Sequence, residues 1–142
     1  MDKAKLLEQV GQAELMKILG IEIVEAAKER VVLTMPVTPR VHQYTGIMNG
    51  GVSLLLAETA ASIGAVINTD LTKRTPVGIE INANHLRSVG KGIVTTIATP
   101  IYHGRTLSVW QVEITNERGK LVCVSRCTLS LKAGAAFPAT AN

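Results

Sequence analysis

The sequence predicts an α+β fold in which an antiparallel sheet wraps around one long helix. Three observations predict it: a long Ala- and Leu-rich run from Gly50 to Asn68, an early pair of short strand-like segments, and four later strand-like segments separated by turns. With 142 residues the chain can form one hydrophobic core and is too short to expect two. We predict a single domain over residues 1–132, with residues 133–142 as a disordered tail.

The first elements follow from apolar spacing. In "AKLLEQVGQAELMKILG" the apolar residues recur at helical intervals, which predicts one amphipathic helix over residues 3–18, ended by Gly20. The next stretch, "IEIVEAAKERVVLTMPV", predicts two strands at about residues 21–26 and 30–37, joined by a charged turn and halted by Pro36. The chain therefore continues from a surface helix into a hairpin.

The Gly50–Asn68 segment is apolar nearly all round, which is typical of a helix enclosed by other elements. It is apolar enough to resemble a membrane span, but Glu58 near its middle and several small polar residues would be costly in lipid. We therefore predict the buried helix of a soluble protein. The amphipathic N-terminus has none of the basic, apolar and small-residue order of an export signal, so we predict a cytoplasmic protein.

The second half of the chain alternates like β-structure and predicts a meander of long antiparallel strands. Three residues separate Cys123 and Cys127, unlike the spacing of zinc or redox motifs, so we predict that both are small core residues and that the chain has no metal site. The four predicted strands are residues 77–89, 92–103, 105–116 and 120–132.

Charge and composition narrow the class of partner. The formal net charge is +4 and the isoelectric point is about 9.3, which suits an anionic partner. Aromatic residues make up only 3% of the chain, so it lacks the stacking platforms of a protein that binds single-stranded nucleic acid. We therefore favour phosphate groups on a small molecule over nucleic acid or a membrane surface.

Two motifs, "HQYTGIMNGGVSLLLAE" and "EINANHLRSVGKG", carry a family resemblance. From about Ile21 to Leu131 the chain resembles hotdog-fold acyl-CoA thioesterases of the phenylacetate-degradation type. It is nearest the branch containing the enterobactin proofreading thioesterase and the 1,4-dihydroxy-2-naphthoyl-CoA thioesterases. The resemblance implies hydrolysis of an acyl-CoA or acyl-carrier thioester, with coenzyme A entering as part of the substrate and no separate cofactor. It also implies a homo-oligomer, either a dimer or a dimer of dimers.

The same resemblance implies a set of catalytic residues. Gln43 matches a glutamine near the reacting thioester, Gly50 a backbone N–H donor to its carbonyl oxygen, Glu58 the catalytic carboxylate, and Ser62 a hydroxyl that helps to position it. Asn49 stands where relatives usually have histidine. In the family's dimer, Gln43 and Gly50 come from one subunit and Glu58 from its neighbour.

The residues support this chemistry on their own terms. Glu58 lies eight positions beyond Gly50, and Ser62 follows Glu58 at i+4, so the acid and the hydroxyl share a helix face. Unpaired N–H groups at a helix start can stabilise negative charge on a thioester oxygen. Glu58 could act as nucleophile, through an anhydride, or as general base on water. Asn49 could donate to the thioester oxygen or simply cap the helix.

A basic segment completes the predicted site. In "NHLRSVGKG" the residues His85, Arg87, Ser88 and Lys91 resemble the family's coenzyme A contacts, and Arg105 adds a second basic position. No spacing joins the histidines to an acid and a nucleophilic serine, so a serine-hydrolase triad is not predicted. Two alternatives to hydrolysis stay open: a non-catalytic acyl-CoA or acyl-carrier binding module, and a hotdog dehydratase.

Overall fold

A computed structural model describes residues 2–135 of the chain. The predicted disordered tail falls on residues 133–142, and its part from 136 onward lies outside the described residues. Within residues 2–135, three α-helices, six strands and a short 3-10 helix at Pro39–Val41 occur. The α-helices and strands, in chain order, are α1 Lys3–Gly11, α2 Glu14–Leu19, β1 Glu22–Ala27, β2 Arg30–Pro36, α3 Gly50–Asn68, β3 Arg74–His85, β4 Ile93–His103, β5 Leu107–Thr115 and β6 Leu121–Ala133.

The N-terminal helix is broken in two, so the prediction of one continuous helix is wrong. Gln12 ends α1 and Ala13 precedes α2, and Ala13 has an extended backbone with ψ of 141°. Apolar spacing continues across this break, because Leu6 on α1 and Met16 on α2 are both buried. Gly20 ends α2 in the left-handed conformation, with φ of 69°, as the sequence predicts.

All six strands form one antiparallel sheet in the order β1-β2-β4-β5-β6-β3. The prediction of a four-strand meander is therefore wrong for its first member. Strands β4, β5 and β6 follow one another as a meander, but β3 crosses over to pair with β6 and becomes an edge strand. The pairing runs from Arg74 opposite Ala133 to His85 opposite Cys123, with a bulge between Gly78 and Glu80.

Helix α3 lies across the sheet, and its fit depends on one glycine. A Cβ at Gly64 would come within 2.6 Å of Cζ2 of Trp110, so the bare glycine lets the indole ring of β5 pack directly on the helix backbone. Trp110 is fully buried, and its Nε1–H donates to Ser108 Oγ at 2.8 Å. Trp110 is therefore a core residue whose indole N–H has a hydrogen-bond partner.

The helix is also the one segment within residues 2–135 that is long and apolar enough to cross a membrane, by length and composition alone. Half of its most apolar window is buried against the rest of the chain, as in the core helix of a folded domain. On the neighbouring strand β6, Cys123 and Cys127 are both fully buried free thiols. The prediction that they are small core residues is confirmed.

Candidate active site

Helix α3 begins at a capped N-terminus that leaves one donor free. Asn49 is the N-cap, and its Oδ1 accepts a hydrogen bond of 2.8 Å from the N–H of Gly51. Gly50, as the first helical residue, has no acceptor for its N–H within residues 2–135. The structure thus gives Asn49 the capping role that sequence analysis left open, and leaves Gly50 as the donor exposed to a ligand.

A cavity of about 370 Å³, which we call the Gly50 cavity, lies beside this helix start. Gln43 lines it from the preceding loop, where its Oε1 accepts from Thr45 N at 2.8 Å and fixes the side chain. Met48, buried in the core, forms part of the floor. The predicted residues Gln43 and Gly50 are therefore brought together. The last residue of β3 and the four residues that follow it also line the cavity, namely His85, Leu86, Arg87, Ser88 and Val89.

A second cavity, of about 310 Å³, lies between α1 and the middle of α3, and we call it the Glu58 cavity. Glu58 and Ser62 both line it, which confirms that they share one face of α3. No hydrogen bond joins the two side chains within the described residues. The rest of the wall is apolar apart from Thr59, and consists of Leu7, Val10, Leu55, Ile63 and Val66.

The carboxylate of Glu58 is exposed, although the apolar sequence around it predicts a buried one. It leans over Gly78 of β3, where an added Cβ would overlap its Oε1 and lie 3.3 Å from its Cδ. The charge of Glu58 also acts on a buried thiol of β6. Burial, together with the negative charges of Glu58 and Glu80, raises the pKa of Cys127 to about 11. Glu58 is thus held beside β3, in reach of solvent.

Gly50 and Glu58 belong to different cavities of one chain. Eight residues separate them along α3, which is about 12 Å along the helix axis. The attacking atom of a hydrolysis must lie about 3 Å from the carbonyl carbon, while the oxyanion donor lies about 3 Å from its oxygen. In one chain the two residues line different cavities, about two helical turns apart.

The predicted coenzyme A contacts divide in a similar way. His85, Arg87 and Ser88 lie together on the Gly50 cavity, and exposed Lys91 follows in the connection to β4. Arg105 lies in the β4–β5 turn, beside the end of β6 near Ser130, whereas His85 pairs with Cys123. Seven residues of β6 separate these ends, or about 23 Å of strand. Arg105 is therefore not part of the Gly50 cavity.

Three residues that shape the surroundings of Glu58 were not predicted from the sequence. Gly78 gives Glu58 its room, and a glycine inside a strand pattern is a known sign of a bulge or close approach. Leu7 and Val10 reach the Glu58 cavity from α1, and only the apolar stripe of that helix hinted at a contact. Within residues 2–135 no group of three or more His, Cys, Asp and Glu side chains is arranged to hold a metal ion.

The comparison with known proteins gives this arrangement a family. Residues 45–123 match the model of the thioesterase superfamily. The 1,4-dihydroxy-2-naphthoyl-CoA hydrolase of Listeria monocytogenes is 47% identical over 118 residues, which cover 83% of this chain and 95% of that protein. The hydrolase of the same name from Escherichia coli is 36% identical, over 88% of this chain and 91% of that protein.

A solved structure agrees with the sequence relatives. A thioesterase from Haemophilus influenzae superposes with a TM-score of 0.83 at 43% identity, covering 94% of this chain and 92% of that one. The chain belongs to the thioesterase superfamily and has the hotdog fold, with its sheet wrapped around α3. It is a thioester hydrolase, so the resemblance inferred from sequence is confirmed, and this class of enzyme is favoured over a binding module or a dehydratase.

Proposed function

We propose that the chain hydrolyses acyl-CoA thioesters, with Glu58 as the catalytic carboxylate. The observation that carries the proposal is the position of Glu58, an accessible carboxylate at the edge of a largely apolar cavity on the central helix of a thioesterase fold. Such a cavity suits an apolar acyl group. With the acyl group in the cavity, the thioester carbonyl would lie at its edge, beside the carboxylate of Glu58. Ser62, on the same wall, is suited to orient Glu58 or an attacking water.

The chemistry needs little else from the protein. Glu58 either attacks the carbonyl carbon itself or removes a proton from water that attacks it. The carbonyl electrons move to oxygen, which accepts a hydrogen bond from Gly50 N–H, and the C–S bond then breaks to release the thiolate. Where Glu58 is the nucleophile, water then hydrolyses the acyl–Glu58 anhydride, which releases the free acid and restores the carboxylate. Gln43, uncharged and fixed by Thr45 N, is suited to orient the thioester or the water.

The coenzyme A part of the substrate would lie along the basic segment that follows β3. Arg87 and Ser88 line the Gly50 cavity, and Lys91 lies nearby, so phosphate oxygens of coenzyme A would meet charged and hydroxyl donors. An acyl-carrier protein presents only the pantetheine arm and one phosphate, and is the alternative thiol donor. The two relatives named as 1,4-dihydroxy-2-naphthoyl-CoA hydrolases make a naphthoyl-CoA the first substrate to test.

We propose further that the working unit is at least a dimer. Within one chain, Glu58 and Gly50 line different cavities, so we infer that each site combines Glu58 of one copy with Gly50 of another. Strand β3 offers the joining surface, because its outer edge is unpaired in the sheet and it exposes Val77 and Ile79. Pairing there would bring Glu58, which leans on Gly78 of this strand, next to the second copy.

Two experiments test these proposals. Glu58→Gln keeps the shape and removes the charge, so turnover of acyl-CoA should fall at least about 100-fold while binding of the thioester persists. Undiminished turnover in the folded variant would refute the carboxylate mechanism. A panel of aromatic, short-chain and long-chain acyl-CoA substrates, read by thiol release, would show which acyl group is preferred.

The shared site is tested by mixing two inactive variants, Glu58→Gln and Gly50→Val. If each site combines two subunits, a heterodimer has one doubly altered site and one intact site. A random mixture of equal parts should then recover about a quarter of wild-type activity. If Glu58 and Gly50 act from the same subunit, every site carries a defect and the mixture stays inactive, which would refute the shared site.

A further inference from the structure

The imidazole of His85 lies against the helix start that holds the proposed oxyanion donor. His85 is the last residue of β3, and a Cβ built on Gly50 would come within 3.0 Å of its Nε2 and 3.1 Å of its Cε1. Any residue other than glycine at position 50 would therefore crowd the ring. The bare backbone of Gly50 and the ring of His85 form one corner of the Gly50 cavity.

The two donors of this corner are close enough to share one oxygen atom. Cβ lies about 2.5 Å from the nitrogen of its own residue, so Gly50 N and His85 Nε2 are at most about 5.5 Å apart. An oxygen that accepts hydrogen bonds of about 2.9 Å from both can bridge donors separated by up to about 5.8 Å. The spacing thus allows a bifurcated acceptor between the helix start and the ring.

The other two histidines each have a ring nitrogen engaged by a protein group. His42 Nε2 bonds Gly90 O at 2.8 Å, and His103 Nδ1 bonds Ser108 Oγ at 2.8 Å. Among residues 2–135, His85 is the histidine whose ring nitrogens bond no other protein group, and it is exposed to the cavity.

We infer that His85 is a catalytic residue that donates an N–H hydrogen bond to the thioester oxygen beside Gly50. The inference deepens the proposed acyl-CoA hydrolysis and rests on it. When the C–O bond forms, the carbonyl electron pair moves to oxygen, which accepts from Gly50 and His85 together. When the carbonyl re-forms, the C–S bond breaks and the thiolate leaves. His85 transfers no proton in either step.

The alternative is that His85 only contacts a coenzyme A phosphate, as its sequence neighbours suggest. Two substrates separate these roles: an acyl-CoA, and the same acyl group on pantetheine, which lacks the nucleotide and its phosphates. The variants are His85→Ala, which removes the donor, and His85→Gln, which keeps a side-chain N–H. Arg87→Ala serves as the comparison, because its guanidinium is suited to phosphate alone.

We expect His85→Ala to lower kcat about 10- to 1,000-fold on both substrates, as loss of one oxyanion donor does elsewhere, with His85→Gln recovering part of it. Arg87→Ala should raise KM for the acyl-CoA and have a smaller effect on the pantetheine thioester. If the His85→Ala defect disappears on the pantetheine thioester, or if kcat is unchanged on both, the inference is overturned.

The outcomes also separate this inference from the function on which it rests. Wild-type protein that cleaves neither substrate overturns both. Wild-type protein that cleaves acyl-CoA while His85→Ala and His85→Gln match it overturns the role of His85 alone. Thermal unfolding of each variant verifies that it is folded. If His85→Ala fails to fold, an unchanged kcat in a folded His85→Phe, which also lacks an N–H donor, would equally overturn the inference.

Discussion

Replacing Gly78 by alanine should displace the proposed catalytic carboxylate without touching it chemically. Gly78 has no left-handed backbone conformation, so alanine is tolerated by the chain. The added methyl group would overlap Oε1 of Glu58. Since Glu58 is exposed and ends in a flexible side chain, the carboxylate can move away rather than force the strand apart.

The magnitudes follow from this geometry. To reach ordinary van der Waals contact with the new methyl group, the carboxylate oxygen must retreat by about 1 Å. A displacement of about 1 Å at a reacting group can cost about 100-fold in rate. Stability should change little, because a glycine-to-alanine change at a compatible backbone gains about 0.4–1 kcal/mol from the unfolded chain, against a small cost of moving Glu58.

The assay measures kcat and thermal unfolding on the same sample of Gly78→Ala. We expect a loss of about 100-fold in kcat with an unchanged or slightly higher Tm. Gly11→Ala is the matched control, because a Cβ there meets nothing within 4 Å. Sedimentation verifies that both variants keep the oligomeric state of the wild type. Wild-type kcat in Gly78→Ala would show that the position of Glu58 beside β3 is irrelevant to turnover.

Three further predictions concern other parts of the fold. Asn49→Ala removes the cap on Gly51 N–H and should lower the free energy of unfolding by about 1 kcal/mol, measured in urea, with turnover per folded molecule unchanged. Burial raises the pKa of the Cys127 thiol from an ordinary 9.0 to about 11 in the folded protein. Because the thiol therefore ionises at lower pH in the unfolded chain than in the folded one, the free energy of unfolding should fall as the pH rises from 9.0 to about 11. Cys127→Ala should weaken that fall, and an identical pH profile would contradict the assignment. Leu7→Trp fills the Glu58 cavity and should lower kcat/KM for bulky acyl groups more than for acetyl-CoA, whereas Leu15→Trp, at an exposed position, should lower neither.

Much of the fold could be predicted from sequence because it depends on local patterns. The apolar run gave the bounds of α3 at Gly50 and Asn68, and alternation gave five of the strands within about two residues at each end. The position of β3 could not be predicted in this way. Its sequence alternates like that of any strand, and whether it pairs with β4 or β6 depends on contacts distant along the chain.

The same limit applies to the site. Helical spacing was enough to predict that Glu58 and Ser62 lie on one face of α3, and both residues line the Glu58 cavity. Spacing could not show that Glu58 is exposed over a glycine of β3, because that contact joins elements far apart in sequence. Nor could it separate Arg105 from Arg87, since their distance depends on the direction of the strands between them.

The contact between Trp110 and Gly64 allows the intrinsic fluorescence of the protein to report whether it is folded. Trp110 is the single tryptophan of the sequence, and it is fully buried where the sheet meets the central helix. Its fluorescence emission should therefore shift to longer wavelength only when helix and sheet separate and water reaches the indole. Every substitution named above leaves this residue in place, and all except Leu7→Trp and Leu15→Trp keep it as the single tryptophan, so one optical signal can follow unfolding in those variants without an added label.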